Sequence, residues 1–141
     1  MSKKIDFEKI NKGLDKMVKD LPRFLANEML NHSKKAFRDE GFTLKAFEPW
    51  AKRTTKNKAD KATGKRRAIL VDSANLKESV LIKQQTFEKV RVGSYGIAYA
   101  ARHNRGLKGM PKRQFIGNNS EVLNNKLFEI TLREFKKATK A

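Results

Sequence analysis

Two histidines, His32 and His103, are the side chains in this sequence best suited to acid–base work near neutral pH. They lie far apart in the chain, and neither has a carboxylate or nucleophile signature nearby. Their spacing does not match a zinc site, which needs ligands clustered in short intervals. His32 reads as a residue on a helix face and His103 as a structural or surface residue. Glu134-Phe135-Lys136 matches the Glu-x-Lys half of a nuclease signature. It falls in a predicted helix, without the Asp-bearing strand that would complete a cation site. Thr63-Gly64-Lys65 lacks the upstream glycine of a phosphate-binding loop. With no cysteine in the chain, disulfides and thiolate metal sites are ruled out. The expectation is a protein that is not an enzyme, with no catalytic residues, no cofactor and no metal.

Charge is the stronger signal. The chain has 141 residues and a formal net charge of +18, with the excess concentrated in the middle. From Thr43 to Arg67 nine Lys or Arg face only Glu48 and Asp60, and from Ala98 to Arg113 five basic residues face no acidic one. The first forty residues nearly balance, with ten basic and seven acidic positions. Such placement points to an anionic neighbour, either nucleic acid or an acidic protein surface, or else to solubility of a sticky assembly protein. The candidate contacts are Lys52, Arg53, Lys56, Lys58, Lys61, Lys65, Arg66 and Arg67. These residues sit beside Gly and Thr rather than among aromatics, so base stacking is not expected and any DNA contact would be to the backbone, without sequence specificity. No helix-turn-helix, zinc-finger or aromatic RNA-binding signature is visible.

Those residues have to be positioned by one modest core, because a chain of this length has room for a single domain, residues 1–141. Phe7, Ile10, Leu14, Met17, Leu21 and Leu25 recur at helical steps. They predict a helix, or a pair kinked at Pro22 with Asp20 as the second cap, over about residues 5–39 and closed by Gly41. Residues 42–67 show no period, and 52–67 reads as a basic, mobile loop with Trp50 pinning its start to the core. Ala68–Val71 reads as a short strand, then Asp72 or Ser73 caps one or two helical turns through Leu76 and Val80. Period-two alternation predicts strands at 79–85 and 87–93, paired as a hairpin. A short helix over 97–104 stopped by Gly106, an edge strand at 114–116, and a helix over 121–137 capped by Ser120 complete the reading. The inward residues of that last helix are expected to be Leu123, Leu127, Ile130, Phe128 and Phe135. The fold class is α+β: a long N-terminal helix and a C-terminal helix packed on a small, mostly antiparallel sheet. The N-terminus has no apolar run of signal-peptide type and no window is long enough to span a membrane, so no membrane partner is expected.

Several short pieces occur in a particular order: Phe47-Glu-Pro-Trp50, Gly64 before Ile69-Leu-Val71, Leu76-x-x-Ser79, Val92-Gly93-Ser94, Ala98-Tyr99-Ala100, Gly106, and Pro111-Lys-Arg113-x-Phe115-Ile-Gly117. Over residues 42–117 that order resembles the phage virion-morphogenesis, or tail-completion, family. The departure is Asp72-Ser-Ala-Asn75, which stands where the family carries a glycine. The resemblance implies a structural and assembly role in tail completion and head–tail joining for a phage or prophage, in the bacterial cytoplasm during assembly and then in the virion tail or neck. It implies a homo-oligomeric ring that meets other tail or connector proteins. It also makes Trp50, Leu76, Gly93, Tyr99, Gly106, Pro111, Arg113, Phe115 and Gly117 structural positions. In physical terms, Gly93 and Gly106 would supply positive φ at a strand end and a helix end, Tyr99 a bulky anchor between small residues, and Arg113 a lock on carboxylates or carbonyls. The rival reading, from a different class, is a small non-specific nucleic-acid-binding protein.

Overall fold

The computed structural model describes residues 3–53, 68–70 and 75–140. The first element, α1 (Phe7–Asp39), is one continuous helix of 33 residues, about 50 Å long at the usual rise. Asp6 caps it, its side chain accepting the Lys9 N–H at 3.0 Å. The possible break at Pro22 is not realised. Pro22 lacks the N–H that would bond the Val18 carbonyl, yet Leu21, Pro22 and Ala26 are buried together, and that burial holds the helix through the defect. Asp20 is therefore not a cap; it lies beside Arg23 at 3.7 Å.

Glu40, not Gly41, ends α1, turning left-handed at φ 54°. That conformation is disfavoured for a residue with a Cβ, and three bonds hold it. The Glu40 N–H donates to the Ala36 carbonyl, its carbonyl accepts the Trp50 N–H at 2.7 Å, and its carboxylate accepts the Ile69 N–H at 2.7 Å.

Gly41 instead opens a hairpin inside the stretch expected to be irregular. Strands β1 (Gly41–Thr43) and β2 (Phe47–Pro49) pair antiparallel, with Phe42 opposite Glu48. The second hairpin is the expected one: β3 (Val80–Gln85) and β4 (Val90–Ser94), with Ile82 opposite Val92 and an irregularity between Ile82 and Gln84. The β-structure of the described residues is thus two separate two-stranded sheets within an α+β architecture.

Ala68–Leu70 forms no strand. Residues 69 and 70 form a turn, Leu70 at φ 61°, which buries Ile69 and takes the chain off an extended path. A single helical turn, α2 (Asn75–Glu78), precedes β3 and buries Leu76; the expected caps Asp72 and Ser73 lie outside the described residues. The Ser79 hydroxyl donates to the Leu76 carbonyl at 2.6 Å and lies 2.6 Å from the Ser94 hydroxyl, joining this turn to β4.

Helix α3 (Ala100–Arg105) stops at Gly106, at φ 69°. A Cβ there would also lie 2.9 Å from the Lys112 backbone nitrogen, so both the turn and the close return of the chain need glycine. Ser120 caps the final helix α4 (Glu121–Ala138), accepting the Leu123 N–H at 3.1 Å. Its hydroxyl donates to the Thr43 carbonyl at 2.6 Å and so ties the helix to β1.

Helix α4 runs antiparallel to α1, as three anchors show. Its start is bonded to Thr43 and Leu44 beyond the end of α1, Lys126 meets Glu28 at 3.0 Å, and the carbonyl of Ala138 occupies the place a Cβ on Gly13 would need. Leu123 and Ala138 are buried, with Leu127, Ile130 and Glu134 half-buried on the same side. Phe128 and Phe135, expected inside, are 67% and 49% exposed. They sit roughly 100° or more around the helix from that inner line, so both cannot share its side.

Candidate nucleic-acid interface

From the pieces that carry the family resemblance, Trp50, Ile69, Leu76, Ala100 and Phe115 belong to one core, while Gly64 lies outside the described residues. Phe37 of α1 stacks edge-on to Trp50 at 5.6 Å between ring centroids and tilts against Phe115 at 5.1 Å. Residues 114–116 form no strand, because side chains have taken the backbone groups a ladder would use. The Gln114 carbonyl accepts Trp50 Nε1–H at 2.7 Å, and the Phe115 carbonyl accepts the Ser33 hydroxyl at 2.7 Å. Asn104 Oδ1 accepts both the Phe115 N–H at 2.9 Å and the Ile116 N–H at 3.1 Å. Arg113, buried, donates from Nε to the Ala51 carbonyl at 2.9 Å and from Nη2 to the Lys52 carbonyl at 3.4 Å. Burial, and then the nearby charge of Arg53, lower its pKa. Together these bonds clasp the 113–116 segment to Trp50 and the two residues after it, to α1 and to α3.

The other motif residues play more varied parts. Leu76 belongs to the same core as Trp50 and Phe115. Gly93 lies in β4 opposite Leu81, without positive φ; its lack of a side chain leaves room for the Tyr95 ring, 3.1 Å from where a Cβ would be. Tyr99 is no buried anchor: it is 41% exposed and meets His103 edge-on at 5.8 Å, while its neighbour Ala100 is buried. Pro111 and Gly117 are exposed, and a Cβ on Gly117 would meet Gln114 Nε2 at 2.5 Å.

Of the candidate contacts in the basic loop, Lys52 is exposed and Arg53 half-buried. Lys56, Lys58, Lys61, Lys65, Arg66 and Arg67 lie outside the described residues, as does the expectation of a mobile loop.

The fold also brings together a second basic group that spacing in the sequence does not reveal. Lys34, Lys35 and Arg38 on α1, Lys77 on α2 and Lys126 on α4 line a cavity of about 580 Å³ with Asn31, His32 and Glu28. Glu28 is engaged by Lys126 and Asp39 by Arg38, at 3.0 and 3.1 Å. The Lys34 ammonium is bonded to the Lys77 carbonyl. Burial pulls the Lys34 pKa down, the charge of Lys77 adds to that, and Glu78 opposes it. Among the described residues, no ion pair engages the ammonium groups of Lys35 and Lys77. Among the described residues, the only aromatic ring lining the cleft is that of His32, so it offers charge without a stacking platform. The Lys34-Lys35-x-x-Arg38 run on one helix was a legible hint; Lys77 and Lys126 join it only through the fold.

His32 Nε2 and His103 Nδ1 are buried without hydrogen-bond partners. Burial lowers both pKa values, assisted at His103 by the charge of Arg113 and at His32 by Lys35 and Lys126 against Glu28 and a backbone bond to Thr43. His32 lies edge-on to Phe42 at 5.0 Å. Among the described residues, no group of three or more His, Asp or Glu could hold a metal ion, and no helix is long and apolar enough to cross a membrane. Comparisons of the chain with family models, with curated proteins and with solved structures find no match.

Proposed function

We propose that this chain is a non-enzymatic structural and assembly protein of a phage or prophage, acting in tail completion and head–tail joining as a subunit of a homo-oligomeric ring. The observation that carries the reading is the ordered set of motif pieces between Phe47 and Gly117, of which Trp50, Leu76 and Phe115 meet in one core and Arg113 ties its flanks. Those residues belong to the core beneath the basic cleft and the helix α4 with its exposed apolar residues. Binding energy would come from subunit burial and charge complementarity with tail or connector proteins rather than from bond chemistry. The protein would be made in the host cytoplasm and retained at the tail end or neck. Disrupting the gene in a producing strain tests this: filled heads and separate, unjoined tails should accumulate, and a plasmid copy should restore whole particles. Normal yields of joined, infectious particles without the chain would refute it.

A second reading, a small non-specific nucleic-acid-binding protein, is favoured by the cleft around Lys35 and Lys77. If three or four phosphates are engaged there, log affinity for duplex DNA should fall against log salt with a slope of about −3 to −4. Replacing both lysines with Gln should flatten that slope by about 2. Tight, salt-resistant or sequence-selective binding would contradict a backbone contact.

A further inference from the structure

The outer face of α4 presents Phe128, Leu132 and Phe135, which are 67%, 41% and 49% exposed. Their spacing of four and then three places all three on one stripe, the two seam positions of a heptad. The opposite face, with Leu123 and Ala138, is buried toward α1. Three large apolar side chains exposed together on one helix face make a candidate interaction surface.

The charges beside the stripe indicate its occupant. Glu129 directly follows Phe128 and Lys136 directly follows Phe135, so both lie on the same flank of the seam. When two helices pack antiparallel, like flanks face each other across the seam, and charges there set partner and orientation. A second copy of α4 running antiparallel would place Glu129 of each protomer against Lys136 of the other, twice, around a centre made by Leu132 and Phe135. A parallel pair would set Glu129 against Asn124 and Lys136 against Thr131 and gain no ion pair. Within the chain, Glu129 and Lys136 have no ion pair among the described residues, whereas neighbouring Arg133 already holds Glu134 at 3.1 Å.

We infer that the exposed stripe of α4 is a self-association surface that takes the α4 of a second copy of this chain, antiparallel and two-fold symmetric. Such a contact closes on itself, so a ring would propagate through other surfaces, and the inference stands independently of the phage reading. One helix face is small for an interface, which places the affinity on the order of micromolar.

Sedimentation equilibrium of the full chain over a range of concentrations around that value is the test, with circular dichroism confirming that each variant is folded. The wild type should show a monomer–dimer equilibrium. Glu129→Lys alone and Lys136→Glu alone each place like charges in contact at two points and should weaken it at least tenfold. The double exchange, Glu129→Lys with Lys136→Glu, should restore it. A wild type that stays monomeric well above micromolar concentration would overturn the inference, because the stripe would then belong to another partner. Association that ignores both single exchanges, or that the double exchange fails to rescue, would overturn the antiparallel arrangement.

Discussion

The two ends of α1 are built differently. Its C-terminal half lies in a core where Phe37, Trp50 and Phe115 touch and where Ser33 and Asn104 spend their side chains on the backbone of one segment. Its N-terminal half is covered by α4, and the pair leaves Phe7, Val18, Phe128 and Phe135 in solvent. Buried polar bonds specify one geometry at the first end, since a donor or acceptor left without its partner there costs more than the bond itself contributes. At the second end no comparable bonding among the described residues fixes the outer surface, and apolar side chains remain exposed. One end keeps the shape, and the other presents apolar side chains to solvent.

The sharpest way to break that contrast is Phe115→Ala. Removing a fully buried ring from the clasped end should cost about 3–5 kcal/mol in chemical denaturation. An unchanged midpoint would mean that the aromatic cluster does not hold the fold. Asn104→Ala should cost less, about 1–3 kcal/mol, because it leaves the N–H groups of Phe115 and Ile116 without their acceptor. The loss should be larger than for Asn125→Ala on the exposed side of α4.

A third, smaller effect is the response to acid. The pKa values of His32 and His103 are lowered from 6.5 in the folded chain, so above 6.5 both states are neutral and stability is full. As pH falls below 6.5 the unfolded chain takes up protons first, and stability declines until the folded-state pKa values are passed. Thermal midpoints recorded across that window should fall with pH, and the double variant His32→Gln with His103→Gln should flatten the curve. A wild-type midpoint that rises on acidification would reverse the sign and exclude burial as the cause. At the open end, Phe128→Ala should change stability of the monomer by no more than about 0.5 kcal/mol, measured at a concentration too low for association.

Much of the architecture was legible because it is written in periodicity. The apolar steps from Phe7 to Leu25 gave α1, alternation around Val80 and Val92 gave the β3–β4 hairpin, and Ser120 marked the start of α4. What was not legible depends on distant partners. Glu40 could replace a glycine at the end of α1 only because Trp50 and Ile69 bond to it, and the 114–116 segment lost its strand to Asn104 and Ser33. The β1–β2 hairpin is three residues a side, too short for a period to show. The hydrophobicity of Phe128 and Phe135 favours the inside, but their angle on the helix turns both outward. The basic cleft does not show in sequence spacing because its five cations come from three helices.

The functional reading stands or falls on where the chain resides. Gold-labelled antibody to the full chain, imaged by electron microscopy on intact particles from a strain carrying the gene, measures that directly. The expected result is label at one end of the tail or at the neck, on joined particles and on isolated completed tails. Particles free of label throughout, with the chain recovered only in the soluble fraction of the lysed host, would contradict it.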